Sequence, residues 1–185
     1  MQGVGYRLAE NAWKDIIPIF DTPINYCEIG VLCGHNIISF CKNFAKHPES
    51  KLYAIDPWLS YTDCPDEHYV NHNNNYNYYL YNINMTGVSD KIITKRGFSE
   101  DILPTFDNLF FDIIFIDGNH QEPYYEKDFL LSIPILKNGG YIIIDDTNHP
   151  PIYKKAEEIF ELIFKDQFTV IQKNNEQFIY KKNSI

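Results

Sequence analysis

Two apolar runs constrain this chain most: residues 110–117 (FFDIIFID) and residues 141–145 (YIIID). Neither alternates, so neither suits a sheet with one wet face. Strands of this kind are buried on both sides, in a parallel sheet covered by helices. Each run ends in acid, Asp117 after the first and Asp145-Asp146 after the second. In open sheets of this type a ligand lies beyond the carboxyl ends of the strands. Chemistry is therefore expected just past each apolar run.

The rest of the chain keeps a regular alternation. A first helix is predicted over residues 7–17, stopped by Pro18. Then come a strand at 24–30, a helix at 36–47 with Ile37, Phe40, Cys41 and Phe44 on one face, and a strand at 51–56. The asparagine-rich stretch after the next loop reads as a weak helix, because Tyr69, Tyr76, Leu80 and Ile83 recur near a helical period. A strand at 91–97, a short helix at 99–106, the run at 110–117 and a helix at 124–136 follow. Gly139-Gly140 precedes the strand at 141–145. The last helix puts Ala156, Ile159, Phe160, Ile163 and Phe164 on one face. The ending, QFTVIQKNNEQFIYKK, reads as a hairpin around Asn-Asn-Glu. The predicted architecture is a single α/β domain over residues 1–185. It is Rossmann-like and doubly wound, a mostly parallel seven-stranded sheet with a C-terminal antiparallel hairpin.

Charge narrows the partners. With a net charge of −9 over 185 residues, the surface repels phosphate backbones and anionic membranes. No nucleic acid and no membrane is expected as a partner. No apolar run approaches the ~20 residues of a bilayer span, and the N-terminus lacks a signal-peptide layout; a cytoplasmic location is expected. The four cysteines, Cys27, Cys33, Cys41 and Cys64, show no zinc or redox spacing and read as reduced, mostly buried residues.

The loop CEIGVLCGHN, residues 27–36, resembles a phosphate-cradling turn with its middle glycine replaced by Leu32. That glycine is what lets backbone approach a pyrophosphate. Asp56 stands ~20 residues further on, where an acid takes ribose hydroxyls. A nucleoside cofactor without a pyrophosphate satisfies both facts, and S-adenosylmethionine is one.

These segments carry a family resemblance. CEIGVLCGHN, GFSEDILP, FIDGNHQEPYY and LKNGGYIIIDD stand in order, and together they resemble class I S-adenosylmethionine-dependent methyltransferases. The likeness is greatest to the metal-dependent O-methyltransferases, which include catechol, caffeoyl-coenzyme A and macrocin-type sugar enzymes. The resemblance implies that Gly30 to Gly34, Val31 included, pass beneath the methionine part, with Glu28 ahead of them and Asn36 near the carboxylate. Asp56 would bind the ribose, Trp58 would flank the nucleoside, and Gly97, Phe98 and Ser99 would lie beside the adenine. Glu28 has an alternative role, orienting the loop, and Trp58 an ordinary packing role.

Asp117, Asp145 and Asp146 match the family's metal positions, Asp117 also bordering the cofactor. Hard oxygen ligands favour a divalent cation such as Mg²⁺; helix capping is the competing role for Asp145 or Asp146. His120 stands where catechol-type relatives carry a catalytic lysine, and a neutral imidazole can accept a hydroxyl proton. His149 is a weaker candidate. The expected acceptor is a small hydroxylated molecule, a sugar or glycosylated metabolite ahead of a catechol-type phenol; a homodimer is the other partner considered. Two alternatives stand beside this reading: a nicotinamide-dependent oxidoreductase, against which Leu32 counts, and a non-catalytic nucleoside-binding domain.

Overall fold

A computed structural model of the protein describes residues 1–3, 8–59 and 72–184. Cys64, Tyr69 and Arg7, the expected start of the first helix, lie outside the described residues. Among the described residues seven strands form one sheet: β1 (Asn25–Ile29), β2 (Lys51–Asp56), β3 (Ile92–Arg96), β4 (Phe111–Ile116), β5 (Leu136–Ile144), β6 (Phe168–Lys173) and β7 (Phe178–Lys182). Their order is β3-β2-β1-β4-β5-β7-β6. β1–β4, β2–β3 and β4–β5 pair in parallel, while β7 runs antiparallel to both β5 and β6. The predicted mostly parallel sheet with an antiparallel hairpin is present. Strand order reverses between β1 and β4, the point where such sheets open a crevice.

The chain divides into two compact units: Met1–Ile24 with Val31–Gly97, and Asn25–Gly30 with Phe98–Ile185. In the first, α1 (Ala9–Trp13) packs Trp13 edge-on to Phe40 of α2 (His35–Asn43), and Phe40 stacks on Phe44. α2 stops four residues before the predicted end. There Phe44 accepts the amide of Phe20 and Lys46 donates to the Phe20 carbonyl, so the backbone pairs sideways instead of coiling on.

The asparagine-rich stretch is a helix, α3 (His72–Met85), as predicted. Its buried face keeps Ile83 but is otherwise shifted from the predicted one. Tyr79, Asn82 and Ile83 are buried, whereas Tyr76 and Leu80 are only partly covered. A polar residue can lie on that face because Asn82 is satisfied there. Its amide accepts from the Gln2 N–H and donates to the carbonyls of Gln2 and Cys33.

The second unit holds β1 and β4 to β7, with α4 (Ser99–Ile102), α5 (Tyr124–Ile135) and α6 (Pro150–Ala156). A 3₁₀ turn, Leu103–Thr105, follows α4. β5 begins at Leu136, five residues before the prediction, and absorbs the glycine pair. Its register with β4 shifts between Phe111 and Ile113. Gly139 adopts φ 78°, and a Cβ on Gly140 would lie 2.8 Å from the Asp112 carbonyl oxygen, so the pair forms a bulge instead of a linker.

After α6 the chain widens into π-helical turns, Glu157–Ile163. Ile159 and Phe160 remain buried, but Ile163, predicted on the same face, is exposed, because the wider turn changes the period. The hairpin closes at Asn174, whose Oδ1 accepts the amides of Glu176 and Gln177. Cys27, Cys33 and Cys41 are buried. Among the described residues no helix is long and apolar enough to cross a membrane.

Candidate active site

In the first unit the glycine loop is clamped onto Asp56. Oδ2 of Asp56 accepts the amides of Val31 and Leu32 at 2.9 and 3.0 Å, and Oδ1 accepts the Trp58 amide at 2.6 Å. Leu32 sits at φ 51°, left-handed at the position where the dinucleotide fingerprint has glycine. Such a conformation costs a bulky residue roughly 1–2 kcal/mol and needs holding from outside. Asp56 holds the Leu32 amide, and the Trp58 indole N–H donates to the Leu32 carbonyl at 2.7 Å. Trp58 is fully buried, tilted 4.8 Å from Tyr79 and 4.9 Å from Tyr76. Gly34, at φ 79°, precedes α2; a Cβ there would come within 2.8 Å of Tyr79. Asn36 is the second residue of α2 and half-buried.

The second unit gathers the acids. Glu28 is buried in β1 and accepts the Tyr26 hydroxyl at 2.7 Å. Burial, reinforced by Glu28, pushes the Tyr26 phenol well above its ordinary value. The Asp117 amide donates to the Ile29 carbonyl. Its carbonyl oxygen comes so near Gly30 that a Cβ there would lie 1.9 Å away. Gly30, at φ 81°, is thus required by conformation and by space.

Burial pushes the Asp117 carboxyl well above the carboxylate range, and Asp145, Asp146 and Glu28 add to the effect. Asp146 moves the other way. Burial alone would raise it, but the hydrogen bond and charge of His120, with His149 and Asp117, hold it below the usual range. Nε2 of His120 lies 2.8 Å from Oδ2 of Asp146, and the His149 ring is 5.1 Å from that of His120. Asp146 takes φ 54°, a left-handed turn directly after Asp145.

Asp117 and the Asp145-Asp146 pair directly follow β4 and β5, in a sheet whose order reverses at β1 and β4. A family model described as a methyltransferase domain matches residues 27–147, about two thirds of the chain. The chain belongs to this methyltransferase family. It is similar to the O-methyltransferase hkm8 of Aspergillus hancockii, 25% identical over 138 residues that make up 75% of this chain and 48% of that protein. The uncharacterized protein R132 of Acanthamoeba polyphaga mimivirus is 38% identical over 65 residues, 34% of this chain and 29% of that one. The chain thus spans less than half the length of either curated relative. Its fold is that of the O-methyltransferase TomG from Streptomyces achromogenes, solved with S-adenosylmethionine. The TM-score is 0.63 at 18% identity, covering 86% of this chain and 73% of TomG.

In this chain Asp117, His120 and Asp146 each offer a donor atom, all within 4.8 Å of one another. Two carboxylates and an imidazole fit a divalent cation. That set differs from the expected three acids: His120 takes the third place and Asp145 stands outside it. Asp145 lines the small cavity shared by Asp117, His120, Tyr125 and Asp128. Ser99 donates to Asp128, and Phe98 is 38% exposed. Gly97 donates its amide to the Asp56 carbonyl. Sequence reading passed over Asp128, which lay unremarked inside a predicted helix. The available signal was an acid among the apolar positions of a helix that follows a fully buried strand.

Proposed function

We propose that this chain transfers a methyl group from S-adenosylmethionine to a hydroxyl of a small molecule. The observation that carries the reading is the His120–Asp146 pair beside a cluster of half-buried acids. With Nε2–H donated to Asp146, the ring is oriented and Nδ1 is its basic atom. That atom would take the acceptor's proton as the acceptor oxygen attacks the sulfonium methyl. The carbon–sulfur bond breaks, and S-adenosylhomocysteine is the other product. The sulfonium is already activated, so the protein's share is alignment and proton removal.

Asp56 would take the ribose, sharing its oxygens between hydroxyls and the three amides already bound. Glu28, Gly30, Val31, Gly34 and Asn36 would line the methionine part, with Trp58 behind the loop. Gly97, Phe98 and Ser99 would border the adenine. A divalent cation, Mg²⁺ first, would be held by Asp117 and Asp146, with His120 or Asp145 as third donor. Bound there, it would lower the pKa of a coordinated acceptor hydroxyl. The Asp-Gly-x-His form of residues 117–120 supports a sugar or glycosylated acceptor over a catechol-type phenol.

The test is incubation with methyl-labelled S-adenosylmethionine and a panel of sugar nucleotides, glycosides and phenols. Label on a hydroxyl oxygen, with S-adenosylhomocysteine as co-product, is expected. Tight NAD binding with no affinity for S-adenosylhomocysteine would overturn the reading in favour of an oxidoreductase.

A further inference from the structure

Ser99 opens α4, and its hydroxyl donates to Oδ1 of Asp128 at 2.5 Å. Asp128 is 2% exposed. Its other oxygen lies against Gly118, where an added Cβ would come within 3.0 Å of Oδ2. Asp128 thus braces two segments of its unit, the one that follows β3 and the one that follows β4. A carboxylate only accepts, and a serine has a single hydroxyl proton. While that proton is committed to Asp128, the Ser99 oxygen has lone pairs alone to offer. Whatever meets Ser99 from the other side must bring a donor.

We propose that Asp128 is a specificity-determining positioning residue, which makes Ser99 an acceptor that reads the 6-amino group of the cofactor's purine and rejects a 6-oxo purine. The inference rests on the methyl-transfer reading, which puts Ser99 beside the adenine. An amino group supplies N–H donors to the Ser99 oxygen. A 6-oxo group would set lone pairs against lone pairs, and sites built to pair with an N–H discriminate strongly against analogues that lack it. Desolvation raises Asp128 to about 7, against the lowering effect of the Ser99 bond. Above that pH the acceptor form prevails.

Titration calorimetry at pH 8 tests this with S-adenosylhomocysteine and S-inosylhomocysteine. The proteins are the wild type, Ser99→Ala and Asp128→Leu, the last removing the acceptor while suiting a buried site. The wild type should prefer the adenosyl ligand by about tenfold or more. Both variants should bring the ratio to within about threefold. Asp128→Leu should also bind the inosyl ligand more tightly than the wild type does, because the freed serine proton can then be donated outward. A residue that merely supports the fold would weaken both ligands together. Equal binding of the two by the wild type, or an unchanged ratio in Ser99→Ala, overturns the proposal even where Asp128→Leu fails to fold. Absence of S-adenosylhomocysteine binding by the wild type would instead overturn the methyl-transfer reading, and this inference with it.

Discussion

His120 presents Nε2 to Oδ2 of Asp146 at 2.8 Å, an imidazole steered by a carboxylate at the next strand end along the chain. If the imidazole takes the acceptor's proton, His120→Ala should lower kcat/KM roughly 10²–10⁴-fold. Affinity for S-adenosylhomocysteine should hold, since the role concerns the acceptor oxygen. The wild-type profile should fall on the acid side, where a proton occupies the ring. A variant that kept both the rate and the acid limb would make His120 structural.

Metal dependence has a separate readout. EDTA should abolish transfer, and Mg²⁺ or Mn²⁺ should restore it. Calorimetric titration with Mn²⁺ should show a site lost in Asp117→Ala. The same titration of His120→Ala divides the roles of that residue: a ligand would cost at least about tenfold in metal affinity, a base nothing. Full activity in chelator would leave the acids as pocket residues.

Asp56 now carries two duties, the loop clamp and the proposed ribose contact. Asp56→Ala should weaken S-adenosylhomocysteine by at least tenfold, about 1.4 kcal/mol or more. It should also lower the melting temperature, because the amides of Val31, Leu32 and Trp58 lose their acceptor. Wild-type affinity in this variant would sink the ribose assignment.

Gly30→Ala should be poorly tolerated. The new methyl would lie 1.9 Å from the Asp117 carbonyl oxygen, on a residue at φ 81°. Overpacking costs typically about 1–3 kcal/mol, and the left-handed backbone adds about 1 more. Urea denaturation measures the loss; a variant as stable as the wild type would mean the β1–β4 crevice has slack.

Asp128 should make stability pH-dependent in a direction opposite to that of a salt-bridged acid. Its folded value is about 7 against an ordinary 3.8. Between these, the folded state holds a proton that the unfolded chain has released, so stability falls as pH rises. The contribution is whole below about pH 4 and gone above about pH 7. Three units correspond to on the order of 4 kcal/mol. Asp128→Asn should lack this slope, so its stability relative to the wild type should be higher at pH 8 than at pH 4. Parallel pH–stability curves for the two proteins would contradict the shift.

The alternation of strands and helices, the parallel sheet, its antiparallel ending and the polar residues at the strand ends were all readable from residue order. Each rests on local pattern. Continuous apolar runs require a sheet covered on both faces, and acids placed after them reach the edge where ligands bind. Periodicity also found the asparagine-rich helix but, Ile83 apart, placed its buried stripe on the wrong residues. Burial of Asn82 depends on the carbonyls of Gln2 and Cys33, which lie 80 and 49 residues away.

The same limit applies to the site. The family resemblance put Asp117, Asp145 and Asp146 together, yet the group whose donor atoms lie within reach of one another is Asp117, His120 and Asp146, with Asp146 in a left-handed turn and bonded to His120. Only the tertiary structure could decide that, because a left-handed backbone at Asp146 turns its carboxylate in a direction that residue spacing does not encode. It alone could reveal Asp128, 29 residues from Ser99 and joined to it across the fold. Sequence specifies which groups are available; which donor meets which acceptor is decided when distant segments close around them.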